Sequence, residues 1–220
     1  MMLLRAAVSV ALAAIAFAAS TAPSAAAILW DETVSGDLSD AQTSPTALVL
    51  VTGTNSILGA VDGDNDLQDF VSVTVPEGTT LDSVTLAAYV SPDLQGFLGV
   101  QVGPTFVGSP FVAGSFAGYA HYGTAAQNGS YPATNLVGAN MLPIMADPAA
   151  APGATGLTVP LGPGTYTFLI QQFGDPTNYQ FDYVVVPEPA SLLLLVSGIA
   201  LLASLRRRRP SICAPSYRRF

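Results

Sequence analysis

The stretch TYTFLIQQFGDPTNYQFDYVVV, Thr165 to Val186, holds two alternating runs around one break. In the first, Tyr166, Phe168 and Ile170 share a face. In the second, Tyr179, Phe181, Tyr183 and Val185 do so, with Gln180 and Asp182 opposite. Gly174-Asp175-Pro176-Thr177 between them is turn chemistry, which predicts an antiparallel hairpin. Upstream, TALVLVT (46–52), FVSVTVP (70–76), SVTLAAYVS (83–91) and FLGVQVG (97–103) are short, rich in Val, Thr and aromatics, and bounded by Gly, Pro, Asn or Asp. A long 3.6-residue apolar period is absent between Ile28 and Val186. The expected fold is therefore all-β, an antiparallel β-sandwich or jelly-roll.

Residues 124–163 break this rhythm with a composition of Ala, Gly, Pro and Asn. So long an irregular stretch is a functional surface loop or a poorly ordered excursion, and its single charged residue, Asp147, favours the excursion.

Charge is segregated along the chain. The seven basic residues are Arg5, Arg206 to Arg209, Arg218 and Arg219, so the net charge of -8 conceals a span from Ile28 to Leu205 with no Lys or Arg and all fifteen acidic residues. A purely anionic domain excludes nucleic acid and anionic membrane surfaces as partners, since both require neutralising cations. Its carboxylates must be solvated, hydrogen-bonded to backbone, or met by metal ions. The lone Cys213 lies beyond the arginines, so the anionic region folds without disulfides on a core that about 160 residues can supply.

Both ends carry targeting features. Residues 1–27 combine Arg5, an apolar stretch from Ala6 to Ala19, and a small-residue ending in which Ala25 and Ala27 suit signal peptidase, so the mature chain is expected to start at Ile28. At the other end, the apolar run 190–205 would make a helix of about 24 Å, short for a bilayer but able to span with snorkelling arginines. Arg206, Arg207, Arg208 and Arg209 would hold the cytoplasmic side and leave the preceding domain outside. The segment is either a label that is removed or a permanent single-pass anchor, with 210–220 as a cytoplasmic tail.

Pro187, Glu188 and Pro189, then the apolar run, then the four arginines resemble the PEP-CTERM sorting signal of Gram-negative bacteria over 187–209. The resemblance implies an exosortase, a membrane transpeptidase that cuts at or near Pro-Glu-Pro and passes the protein to the cell surface or extracellular matrix. This chain continues past the arginines as PSICAPSYRRF, where the usual signal ends sooner. Segments 35–61, 62–86 and 162–185 are similar in order to the prepeptidase C-terminal type of bacterial β-sandwich. That likeness implies a non-catalytic module, and the pair of resemblances implies a structural or adhesive part of a biofilm or envelope, with extracellular polysaccharide as a partner.

Candidate chemistry is sparse. His121 is the single histidine, so a multi-imidazole zinc site is excluded, and with Tyr119 and Tyr122 beside it the residue is expected to be structural or surface rather than catalytic. Without a nucleophile motif the chain is not expected to be an enzyme. The sharpest cluster is DGDNDLQD, in which Asp62, Asp64, Asp66 and Asp69 suit calcium or form a solvated acidic turn. An EF-hand is rejected, because Leu67 and Val73 stand where glycine and glutamate are needed. A calcium- or glycan-binding secreted module is the alternative function. Asn128-Gly129-Ser130 formally fits a glycosylation acceptor.

Overall fold

The computed structural model describes residues 26–188 and, beyond them, Gly198. Among the described residues, nine strands form two sheets. One sheet has the order β1 (Ala27–Asp31), β3 (Gly53–Val61), β9 (Thr177–Pro187), β5 (Thr79–Val90). The other runs β2 (Thr46–Val49), β4 (Gln68–Val75), β8 (Gly164–Gln171), β6 (Gln95–Val102), β7 (Gly118–Gly123). Within residues 26–188, helix is confined to short pieces, α1 (Glu32–Ser35), α2 (Leu142–Ala146) and a 3-10 turn at Ala113–Ser115.

The all-β sandwich expected from the alternating segments is present, with two corrections. First, the sheets are not antiparallel throughout: β1 runs parallel to β3 and β2 parallel to β4, each at a sheet edge. Second, β8 and β9 do not form a hairpin. β8 pairs with β4 and β6, whereas β9 pairs with β3 and β5, so Gln172 to Pro176 carries the chain between sheets. Alternation shows that a strand has an apolar face but not which sheet it joins. Paired in one sheet, the two aromatic faces would lie side by side and both need covering. In opposite sheets they cover each other: Phe168 meets Tyr183 edge to face at 5.3 Å.

The inward series of β4 and β9, Val71, Val73 and Val75 against Phe181, Tyr183 and Val185, is buried with Leu98, Val100, Phe168 and Ile170. β8 is covered on both faces, because Leu169 joins Phe70, Phe106 and Phe116 in a second cluster. Phe70 and Leu169 of that set project from the opposite face of the five-stranded sheet, and Phe106 and Phe116 come from the 103–117 connection that packs on it. Gly99 is required there, since a Cβ would collide with the Phe116 ring.

Residues 124–163 are irregular for most of their length, as their composition suggests, but they are not a loose excursion. Met141, Leu142, Met145 and Leu161 are buried in the main core. This stretch also covers one edge strand of each sheet, β5 and β7. Along β5, Leu81 and Leu161 exchange bonds of 2.8 and 3.0 Å, and Met141 N–H donates to Val84 O at 2.7 Å. Along β7, the Asn128 side chain behaves as a strand fragment, accepting from His121 N–H at 2.6 Å and donating to His121 O at 3.1 Å. Covered edges cannot template pairing with another chain. With both amide atoms engaged and the residue buried, Asn128 is a structural residue rather than a modification site.

Leu142→Ala should therefore cost about 2–5 kcal/mol, as in a packed core. Denaturant unfolding checks this; a change below about 0.5 kcal/mol is what a loose surface segment would give.

Candidate functional site

The carboxylates of DGDNDLQD do not converge. Asp64 N–H donates to Asp62 Oδ1 at 2.8 Å, and Asp62 and Asp66 exchange backbone bonds of 2.5 and 3.0 Å, which closes the turn between β3 and β4. Asp64 is exposed and Asp62 half-buried. Asp69 instead extends the inward series of β4 and is fully buried. Among the described residues, the carboxylates that could share one ion are Glu32, Asp37 and Asp69, with one oxygen from each lying within 4.8 Å of the others.

Local structure explains how Glu32 reaches Asp69. Asp31 caps α1 by accepting Thr33 N–H at 3.0 Å, and Glu32 is then held by two backbone donors, Leu38 N–H at 3.0 Å and Ala60 N–H at 2.6 Å. The Tyr179 hydroxyl donates to Asp69 Oδ2 at 2.6 Å, joining the two sheets, while Asp69 Oδ1 is buried without a hydrogen-bond partner. Gly59 makes room for this, because a Cβ would collide with the Tyr179 hydroxyl and lie 3.2 Å from Glu32 Cδ.

Electrostatics follow from an acid-rich region without cations. Burial pushes Asp69 up to about 9; the Tyr179 bond opposes the rise, and Glu32, Asp66 and Asp37 add to it. Asp66 rises to about 7, first from burial and then from Asp37, Glu32, Asp40 and Asp62. Glu32 is also raised, by burial that outweighs its backbone bonds. Nothing in the sequence pattern pointed to Glu32 or Asp37, which stand far from Asp69 along the chain. The parity of Asp69 with Val71 and Val73 was a readable sign that it faces inward.

Asp69 keeps its proton to about pH 9 when folded and releases it near 3.8 when unfolded. The folded state thus binds more protons between these limits, and stability falls as pH rises through that window. In the absence of divalent ions, thermal denaturation should show a higher midpoint at pH 5 than at pH 8. Asp69→Asn should raise the pH 8 midpoint and flatten the profile; an unchanged slope would remove Asp69 as its source.

A second feature is a cleft of about 390 Å³ on the outer face of the five-stranded sheet, beside the 103–117 connection. Phe97 lies stacked on Tyr119 at 5.6 Å and 29°, and edge to face with His121 at 5.7 Å. Phe111 and Phe173 stack at 5.9 Å and 30° at the rim, 71% and 55% exposed. Burial lowers the His121 imidazole below its usual range, and its Nδ1 is buried without a hydrogen-bond partner. Sequence reasoning placed His121 as structural or surface; Phe111 and Phe173 carried no periodic signal, since both lie in connections.

Of the targeting residues, Ala27 opens β1, Pro187 closes β9, and Pro187 and Glu188 are exposed. Ala25, Pro189, Arg206, Arg207, Arg208 and Arg209 lie outside the described residues, as does the apolar run 190–205 except for Gly198. Among the described residues, no helix is long and apolar enough to cross a membrane. No known protein-family model matches the chain, and no curated protein matches it.

Proposed function

We propose that this is an exported, non-enzymatic protein of the cell surface or extracellular matrix of a Gram-negative bacterium, sorted by a PEP-CTERM signal, processed by exosortase, and structural or adhesive in role. The observation that carries this reading is the order Pro187-Glu188-Pro189, apolar run, Arg206 to Arg209, together with a signal-peptide-like start ending at Ala25 and Ala27. The fold is compatible with it: Pro187 is the last residue of β9, and Pro187 and Glu188 are both exposed. Two prolines lack N–H groups and keep that junction extended, a form suited to a protease cleft. The single histidine and the lack of a nucleophile motif motivate the non-enzymatic part.

Intact mass of the protein from the host's surface and medium tests delivery. A chain from Ile28 to the vicinity of Glu188 is expected; one still ending at Phe220 would make the segment a permanent anchor.

A second reading, a calcium-binding module, is favoured by the Glu32, Asp37 and Asp69 oxygens within 4.8 Å, the orphaned Asp69 Oδ1, and the lack of any Lys or Arg from 28 to 205. Three carboxylates offer the hard oxygen ligands calcium takes. Millimolar calcium should raise the melting midpoint at pH 8 by taking the place of the proton that Asp69 otherwise keeps, and Asp69→Asn should abolish the rise. No shift in the parent protein would remove this reading.

A further inference from the structure

We propose that the aromatic cleft on the outer face of the five-stranded sheet binds a neutral glycan; this rests on the reading of the chain as an exported surface component, where such polymers are met. Three features select that chemistry. The first is shape and surface. Phe111 and Phe173 project into solvent as a stacked pair, and Phe97, Phe116 and Tyr119 supply further ring surface within a cleft of about 390 Å³. That is the size of a small-ligand site. Exposed, adjacent aromatic rings at a cleft rim mark a binding surface rather than core, and a pyranose offers them a flat face of C–H bonds.

The second feature is polar but uncharged edges. Gln172 is committed to the protein: its Nε2 donates to Gln95 O at 2.8 Å and its Oε1 accepts Phe173 N–H at 2.7 Å, which fixes the backbone that carries Phe173. Gln95 Oε1 accepts Gln127 N–H at 3.0 Å, and Gln171 Nε2 donates to Gln68 Oε1 at 3.3 Å. The other ends of these two amides, a donor from Gln95 and an acceptor from Gln171, suit hydroxyl groups, which both donate and accept. His121 lines the cleft with an imidazole whose pKa is lowered by burial, and it brings no positive charge at pH 7; its Nδ1 is itself buried.

The third is charge. All fifteen acidic residues fall between 28 and 205, a span without Lys or Arg, yet among the described residues none of the acids lines the cleft. A polyanion would meet the repulsion of the whole anionic domain without a single compensating cation, whereas a polycation would find its partners elsewhere on the surface. A neutral ligand is indifferent to that field. An extended peptide is disfavoured on separate grounds: the β7 edge it would extend is occupied, with His121 N–H and C=O both bonded to Asn128 and Ala117 O accepting from Gly156 N–H.

The test uses the full-length chain in detergent, titrated calorimetrically with a soluble β-glucan, a galactomannan and a dextran as neutral polymers and with alginate as an acidic one. At least one neutral polymer should bind and alginate should not. The Phe111→Ala/Phe173→Ala double variant should weaken binding at least tenfold with an unchanged melting midpoint, because both rings stand outside the core. Gln95→Leu should weaken binding severalfold while leaving the rings in place. Failure of all three neutral polymers, equal binding of alginate, or undiminished binding by the double variant would overturn the proposal. Binding to purified protein is independent of delivery, so a retained C-terminal segment and an inert cleft would be told apart.

Discussion

The inward face of β9 organises this molecule. Hydrogen-bonded on one side to β3 and on the other to β5, the strand presents Tyr179, Phe181, Tyr183 and Val185 to the opposite sheet. Each ring has a distinct opponent: Tyr183 meets Phe168, Phe181 meets Tyr122 edge to face at 5.2 Å, and Tyr179 reaches Asp69. Rings of this size bury large apolar area and prefer edge-to-face geometry, so their spacing sets how the two sheets approach. A disulfide-free domain relies on such packing, since its only covalent constraint is the chain itself.

At the Tyr179 end the aromatic core gives way to carboxylates, and the lack of cations in the anionic region dictates how each is accommodated. Asp31 and Asp62 spend their charge on backbone N–H groups of tight turns. Glu32 takes two backbone donors, one from β3 and one from the loop after α1. Asp69 has a single hydroxyl donor and a buried second oxygen, so it must keep its proton or share a cation. The same absence of charge partners governs the outer cleft in the opposite sense. There the polar groups are uncharged amides: Gln172 holds the backbone that carries Phe173, and Gln95, anchored through its oxygen, keeps a donor for an uncharged ligand.

The segment 124–163 links these regions. By donating Met141, Leu142 and Met145 to the core and Asn128 to the β7 edge, it closes the side of the sandwich where strand pairing runs out. Tyr119, at the cleft, is tied to the same segment by its hydroxyl, which donates to Pro152 O at 2.7 Å. Such closure matters because unpaired edges invite association.

The four upstream strands and the two aromatic runs were legible from local alternation, because a half-buried strand imposes period two on its own residues. β3 and β7 were not: GTNSILGAV and GYAHYG contain glycines and small residues whose place is decided by groups from elsewhere in the fold, the Tyr179 ring over Gly59 and the Met145 carbonyl over Gly118. Terminal targeting motifs need no fold to be read, since their recognition is linear. By itself the sequence determined the β class, the anionic region without disulfides, and the order of its sorting-like elements, all properties of neighbouring residues. Tertiary structure alone decided that β8 and β9 face each other from opposite sheets, that Glu32 and Asp37 join Asp69, and that Phe111 meets Phe173. Each depends on contacts between residues distant along the chain, and only the closed core brings those together.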